Sequence, residues 1–248
     1  MQRLQPQPSL VDQVYEAILS EISSGKFGRD ARLIQEELAE SLGVSRQPVQ
    51  QALLLLRNHG ILRDAPGRGL MVAPLESEFV RNLYEVRGVL DGLASGKAAE
   101  RGHDAAREEG PAFIARGREA VASGSIARMI TADMEFHFFL YGLSQNPLVA
   151  ETSLPHWSYL RRVMGEVLLN GETPGEIWDQ HETILNAVIS GSAKEAERVA
   201  RLHISHAATT LTERLPAQPQ PEPVVAHAPR RTRKRAGGRP RTAAALKI

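Results

Sequence analysis

The feature that most constrains the fold is a long run of helix-forming sequence from Glu76 to Arg214, broken only by short segments with glycine or proline. Apolar residues recur there at helical spacing, and no strand-like alternation occurs. The breaks predict six helices, near residues 76–101, 104–123, 125–145, 147–169, 175–190 and 192–214. Consecutive helices with short connections favour an antiparallel bundle, so residues 76–215 are predicted to form an all-α domain.

Residues 1–75 follow a different pattern. Helical spacing predicts three short helices at residues 9–24, 33–42 and 45–58, followed by two extended runs at residues 61–63 and 70–72. A turn rich in glycine and proline separates the two runs. Three helices and a β-ribbon in this order predict a winged helix-turn-helix domain. The predicted fold is therefore mainly α, with a winged helix-turn-helix in front of the helical bundle.

A third region, residues 216–248, is predicted to be a disordered proline-rich linker and a basic tail. From Arg230 to the end there are eight basic residues and no acidic ones, although the whole chain carries a net charge of only +1. Residues 1–229 therefore carry a net charge of −7. Charges separated in this way indicate modules with separate tasks.

Composition excludes several classes of protein. There is no cysteine, which excludes disulfides, zinc sites with thiolate ligands and cysteine nucleophiles. No apolar run is long enough to cross a membrane, and the N-terminus lacks the apolar stretch of a secretory signal. We therefore expect a cytoplasmic protein that does not associate with membranes.

The helix-turn-helix signal lies in the segment QEELAESLGVSRQPVQQALLLL. Gly43 permits the tight turn, and Ser45 is predicted to cap the helix that follows. Arg46 and Gln47 then lie at the N-terminal end of this helix, which in such motifs enters the major groove of DNA. Arginine recognises guanine and glutamine recognises adenine through paired hydrogen bonds. In the predicted wing, Arg68 is expected near the DNA backbone or minor groove.

These segments resemble the GntR family of bacterial transcription regulators. The runs LIQEELAESLGVSRQPVQQAL, NHGILRD and GRGLMV carry the resemblance, which extends over residues 10–73. It implies DNA contacts at Arg46 and Gly69, and a phosphate contact at Arg32. Gln50 stands at a contact position where the family usually has arginine, so a different operator preference is expected.

Four residues of the predicted bundle have the chemistry of a metal site. Asp133 and His137 are four residues apart and therefore share one helix face. His181 and His203 come from two further helices. One carboxylate and three imidazoles suit Zn, Ni, Mn or Fe. Spacing alone leaves open the alternative that each histidine is an ordinary buried or exposed side chain.

Residues 79–212 resemble the FCD effector domain of the FadR-like GntR subfamily. The segments YEVRGVLDGLASGKAAERG, DMEFHFFLYGLSQNP and QHETILNAVISGSAKEAERVARLHI carry this resemblance. It implies that Asp133, His137, His181 and His203 bind a divalent metal beside a small organic acid or related metabolite. Arg87 matches a family arginine that could hold a carboxylate, although an ion pair with Asp91 is an equal alternative. Asn146 is a second effector-binding candidate and could instead cap a helix.

The basic tail contains Gly238-Arg239-Pro240-Arg241, which partly resembles an AT-hook. Arg239 and Arg241 could enter a narrow minor groove, or the tail could attract phosphates without regard to sequence.

The sequence as a whole predicts a homodimeric transcription regulator that binds an inverted-repeat DNA operator and responds to a small organic acid. It is predicted not to be an enzyme. Two alternatives remain open. One is a metal-dependent hydrolase-like enzyme with Glu182 as its base. The other is an architectural DNA binder that acts through the basic tail.

Overall fold

The computed structural model of the chain describes residues 9–169 and 175–215. Within these residues it contains nine α-helices and three short strands. In chain order they are α1 (Leu10–Ser23), β1 (Arg32–Leu33), α2 (Gln35–Leu42), α3 (Arg46–Asn58), β2 (Leu62–Asp64), β3 (Leu70–Val72), α4 (Ser77–Arg101), α5 (His103–Ala122), α6 (Ile126–Leu143), α7 (Pro147–Leu169), α8 (Gly175–Ile189) and α9 (Ala193–Arg214).

Local signals begin and end the N-terminal helices. The Ser9 hydroxyl accepts a hydrogen bond from the Asp12 N–H at 3.2 Å, and the Asp12 carboxylate accepts one from the Ser9 N–H at 3.1 Å. This capping box satisfies backbone donors that the first turn of α1 leaves unpaired. Gly43 ends α2 with a φ of 64°, in the left-handed region that glycine enters at little cost. It thereby permits the turn between α2 and α3.

The sheet corrects one boundary of the sequence analysis. Leu33 was predicted at the start of the second helix, but Arg32 and Leu33 form β1, and α2 begins at Gln35. The strand order is β1-β3-β2, with both pairs antiparallel, and Leu33 lies opposite Leu70. A two-residue strand is too short to show a periodic pattern in the sequence. The strand β1 forms because it pairs with β3 and buries Leu33, so only the tertiary structure could reveal it.

All six helices predicted for residues 76–215 are present, which confirms the mainly α fold with a helical domain after the winged helix-turn-helix. Helices α4 and α9 pack closely along much of their lengths. Gly96 makes the approach possible, because a side chain there would press against the main-chain oxygen of Ala193. None of the described helices is long and apolar enough to cross a membrane.

The buried apolar side chains form two main clusters. One joins α1 and α3 to α4 and α7, and includes Leu19, Leu56, Tyr84 and Leu160. The other fills the space between α5, α6, α8 and α9. The described residues, 9–169 and 175–215, group into one compact unit, so the winged helix-turn-helix packs directly on the bundle. The predicted linker and tail, with Arg239 and Arg241, lie outside the described residues.

Candidate functional site

The predicted recognition helix, α3, has one buried face and one exposed face. Val49, Leu53 and Leu56 are buried against the rest of the N-terminal domain. Gln47 and Gln50 are exposed, as are Ser45 and Arg46 just before and at the first turn. A helix held on its apolar side with polar side chains in solvent can enter a DNA groove without rearrangement.

Two details at the start of α3 differ from simple expectation. Ser45 is the N-cap residue of α3, as predicted, with an extended backbone, but its side chain makes no capping hydrogen bond. The Arg46 guanidinium forms an ion pair with Glu36 of α2, and both side chains are about two-thirds exposed. Exposed ion pairs contribute about 0–1 kcal/mol, so this pair can open readily when a better partner arrives.

The wing forms a tight glycine turn. Gly67 and Gly69 have φ values of 95° and 94°, a conformation that strongly favours glycine. Arg68 lies between them and is exposed at the tip. Arg32 of β1 donates from Nη2 to the carbonyl oxygen of Pro66 at 2.8 Å, which brings a second cation to the same end of the sheet. The wing therefore carries two arginine side chains, Arg32 and Arg68, at the same end of the sheet.

Three histidines from three helices of the bundle converge. His137 of α6, His181 of α8 and His203 of α9 each offer one nitrogen, and these atoms lie within 4.8 Å of one another. The Nε2 atoms of His181 and His203 are 3.1 Å apart. All three side chains are buried, with at most 5% exposed.

Asp133 completes the group that the sequence predicted. Its Oδ1 lies 3.5 Å from His181 Nε2, and its Oδ2 lies 3.9 Å from His137 Nε2. Donors held about 2.1 Å from a shared ion lie about 3–4 Å apart, so these separations suit a metal centre. Among the described residues, Asp133 Oδ2 and His137 Nε2 have no hydrogen-bond partner. Buried polar atoms are rarely left unpaired, so these two fit the role of metal ligands.

The electrostatics also suit ligation. Burial lowers the pKa of His181 and of His203 well below the ordinary value of 6.5, and the neighbouring positive charges lower it further. Both imidazoles are therefore neutral near pH 7, the form whose lone pair can bind a cation.

Two polar side chains orient the histidines, and sequence reasoning missed this role for both. Asp91 of α4 has its Oδ1 2.6 Å from His137 Nδ1. Gln180 Oε1 lies 2.8 Å from His203 Nδ1. Each contact engages Nδ1, which leaves the Nε2 atom of His137 near Asp133 and the Nε2 atom of His203 near His181 Nε2. The i, i+4 spacing of Arg87 and Asp91 indicated only a helical ion pair.

Arg87 forms the ion pair with Asp91 that the sequence offered as one alternative, and its contact with an effector carboxylate stays a prediction. Its Nε lies 3.4 Å from Asp91 Oδ2, and its Nη2 lies 3.9 Å from Asp133 Oδ2. The guanidinium also stacks 4.4 Å from the ring centre of Trp157. Burial alone would lower the pKa of Arg87, but Asp91 and other neighbours raise it overall, so the group stays charged. Arg87 is thus both an ion-pair partner and part of the cavity wall described next.

A cavity of about 500 Å³ adjoins the histidine cluster. Arg87, Asp133 and His203 contribute to its wall, together with residues of α6, α7, α8 and α9. Cavities of roughly 300–1,000 Å³ are typical of small-molecule sites. The bundle therefore holds a buried polar cluster beside a space large enough for an organic ligand.

Two other sequence candidates lie elsewhere. Asn146 does not line the cavity; its Oδ1 accepts a hydrogen bond from the Leu148 N–H at 3.2 Å and caps α7. Glu182, the base of the alternative enzyme mechanism, is exposed and pairs with Arg118 at 2.8 Å. Neither residue takes part in the cluster.

Comparison with known proteins agrees with this architecture. Residues 10–72 match the model of bacterial regulatory proteins of the gntR family, and residues 82–206 match the FCD domain. The Nta operon transcriptional regulator of Aminobacter aminovorans is 36% identical over 128 residues, 51% of this chain and 60% of that protein. This alignment therefore spans less than two thirds of the Nta regulator.

Two further proteins are similar over more of their length. The HTH-type transcriptional regulator LutR of Bacillus subtilis is 28% identical over 197 residues, 71% of this chain and 89% of LutR. The solved structure of E. coli McbR/YncC has a TM-score of 0.73 at 22% identity, and covers 84% of this chain and 99% of McbR/YncC. The gntR model describes regulatory proteins, and the Nta protein and LutR are named as transcriptional regulators, not enzymes. The chain therefore belongs to the gntR family of bacterial regulatory proteins and carries an FCD domain over residues 82–206.

Proposed function

We propose that this regulator acts as a homodimer whose affinity for an inverted-repeat operator is set by a metal-anchored carboxylate in the FCD cavity. The observation that carries the proposal is the convergence of three imidazoles and one carboxylate beside a cavity of about 500 Å³. Two buried atoms of this group, Asp133 Oδ2 and His137 Nε2, have no hydrogen-bond partner among the described residues, and a bound metal would satisfy both.

Asp133, His137, His181 and His203 would hold the metal, and their donor set suits Zn, Ni, Mn or Fe. Bound there, the ion would supply a positive centre that attracts an anionic ligand. Arg87 adds a fixed positive charge in the same wall of the cavity. A carboxylate is the ligand group that both charges favour, since guanidinium and carboxylate form paired hydrogen bonds.

Helix α7 offers a route from the cavity to the DNA-binding domain. Met164, Val167 and Leu168 line the cavity from α7. On another side of the same turns, Gly165 packs so closely that a side chain there would overlap the carbonyl oxygen of Ser23 in α1. A ligand that moves this part of α7 must therefore also move α1, or break the contact between Gly165 and Ser23.

Further contacts tie α7 to the DNA-binding domain and to the segment that leads out of it. Arg161 forms an ion pair with Glu16 of α1. The buried Arg162 donates to the main-chain oxygen of Ala73, which follows β3. Burial lowers the pKa of Arg162 to about 10, so a costly buried cation is maintained at this junction. We infer that α7 transmits the state of the cavity to the spacing of the two DNA-binding domains.

Dimerisation follows from the requirements of recognition. One recognition helix reads only a few base pairs, and two-fold pairing doubles the length of DNA that is read. In each subunit Arg46, Gln47 and Gln50 would contact bases, while Arg32, Arg68 and Gly69 would meet the backbone or minor groove.

The experiment that tests the proposal uses full-length protein and an operator selected from random duplex DNA. Zinc is removed with a chelator and restored, and operator affinity is measured with and without a panel of organic acids. We expect about one metal per subunit, and an acid effect on operator affinity that requires the metal. Protein that takes up no divalent metal after reconstitution would overturn the proposal.

A further inference from the structure

The shape of the FCD cavity narrows the class of ligand, and this inference rests on the proposed function above. We propose that the effector is an elongated acid with an apolar middle, and not an acid of two to four carbons. Its carboxylate would lie at the histidine cluster, and its other end would reach the mouth of the cavity near Thr210 and Arg214.

The length of the cavity follows from the residues of α9 that line it. They run along one face of the helix, from His203 through Ala207 and Leu211 to Arg214. At 1.5 Å per residue, the eleven steps from His203 to Arg214 span about 16 Å. The cavity is therefore long in the direction of α9.

The two ends of this span differ. At one end His203 is buried, with 5% exposed, beside the equally buried Arg87 and Asp133. Farther along α9, Thr210 is half-buried and Arg214 is exposed. The cavity wall is thus buried and charged at Arg87, Asp133 and His203, whereas Arg214 at the end of α9 is exposed, as is His206 one turn from the cluster. A ligand would enter with its acid group first.

Much of the remaining wall is apolar. Its apolar side chains are Met164, Val167 and Leu168 of α7, Ile177 and Trp178 of α8, and Leu211 of α9, beside the polar Glu176, Gln180, His206 and Thr210. A short acid bound at the cluster would leave these side chains facing water. An apolar chain would bury them at a gain of about 25 cal/mol per Å² of apolar surface.

Volume gives an independent estimate of ligand size. The cavity of about 500 Å³ lies within the range of roughly 300–1,000 Å³ that is typical of sites for drug-sized ligands. An acid of two to four carbons would fill only a small part of it. A chain that advances about 1.2 Å per bond needs on the order of ten bonds to reach from the cluster toward Thr210.

The test is a binding series on the full-length protein reconstituted with zinc. Straight monocarboxylic acids of about three to about twelve carbons cover lengths up to about 13 Å. Affinity is measured by calorimetry, and quenching of tryptophan fluorescence reports ligand beside Trp178. We expect affinity to rise about fourfold per methylene, equivalent to about 0.8 kcal/mol, until the chain reaches the mouth.

Two variants locate the chain inside the cavity. Leu211→Trp and Ala207→Leu fill the space along α9 and should abolish the gain with length, while binding of the shortest acids at the cluster changes less than twofold. Leu202→Trp is the matched control, because Leu202 is 45% exposed on α9 and does not line the cavity. It should retain the full length dependence.

The outcomes separate the two proposals. Acids that bind with an affinity independent of length, or most tightly when shortest, would overturn the elongated ligand and leave the metal-anchored carboxylate intact. If no acid of any length binds to the zinc-loaded protein, both proposals fail. A length dependence that persists in both filled variants would also overturn the inference, because the chain would then lie elsewhere.

Discussion

The DNA-binding surface and the FCD cavity use polar side chains in opposite ways. Arg46, Gln50 and Arg68, the proposed DNA contacts, are all exposed. In the histidine cluster beside the cavity, His137 and His203 are buried and depend on partners from other helices. At an exposed site, one side chain can therefore be replaced without leaving its neighbours unpaired. A buried site must keep all its members paired, because a single lost partner leaves the others unsatisfied.

The largest expected effect is on the buried site. His203→Ala should abolish stoichiometric metal binding, because the remaining ligands lie on only two helices. DNA binding by the metal-free protein should largely persist, since α3 is not involved. His206→Ala is the matched control: His206 is exposed on the same helix and lies outside the cluster. Elemental analysis after reconstitution with zinc decides the matter, and a full metal content in His203→Ala would contradict the site.

Substitutions on the exposed surface of α3 should have almost as large an effect, but on DNA binding alone. Arg46→Ala removes one base contact in each half-site, at about 1–3 kcal/mol per contact, so operator affinity should fall on the order of a hundredfold or more. Metal content and folding should be unchanged. Arg57→Ala, at the other end of α3, serves as the control. An unchanged operator affinity in a gel-shift titration would exclude Arg46 from recognition.

A sharper comparison comes from a residue that acts on the metal site without belonging to it. Asp91→Asn removes the charge that holds His137 Nδ1, and such orienting partners typically change metal affinity about 10- to 100-fold. Tyr141→Phe is the control. It removes the hydroxyl that donates to Asp91 at 3.0 Å but leaves the contact with His137.

Zinc titration against a competing chelator measures the affinity, and nitrogen NMR of the His137 ring reports which nitrogen carries the proton. Equal loss of zinc affinity in Asp91→Asn and Tyr141→Phe would reduce Asp91 to a structural role.

The junction between the two regions should be sensitive to a single methyl group. Gly165→Ala would press on Ser23 and is expected to destabilise the protein by about 1–3 kcal/mol, while weakening the effect of ligand on DNA affinity. Gly142→Ala is a suitable control, because a side chain at this helical position meets nothing within 4 Å. Thermal unfolding and operator binding with ligand are the measurements. An unchanged ligand response in Gly165→Ala would remove α7 from the proposed route.

The smallest effect on specificity is expected from the tail. Removing residues 216–248 deletes eight cations, and should weaken DNA binding at low salt and flatten its dependence on salt concentration. Preference for the operator over random DNA should survive, since α3 and the wing remain. The slope of log Kd against log salt measures the change. An identical slope would show that the tail makes no phosphate contacts.

The sequence by itself determined the features that depend on neighbours along the chain. Gly43 marked the turn of the helix-turn-helix, and the six helices of the bundle followed from periodicity and breaks. Asp133 and His137 were placed on one helix face because their spacing matches one helical turn. Such local regularities are independent of the rest of the fold.

The tertiary structure decided everything that depends on distant partners. It made β1 from two residues without a pattern and left Ser45 without a capping hydrogen bond. It also turned Asp91 toward His137 and moved Asn146 out of the candidate effector site. Each outcome depends on packing between elements far apart in the sequence, where burial and pairing outweigh local preference.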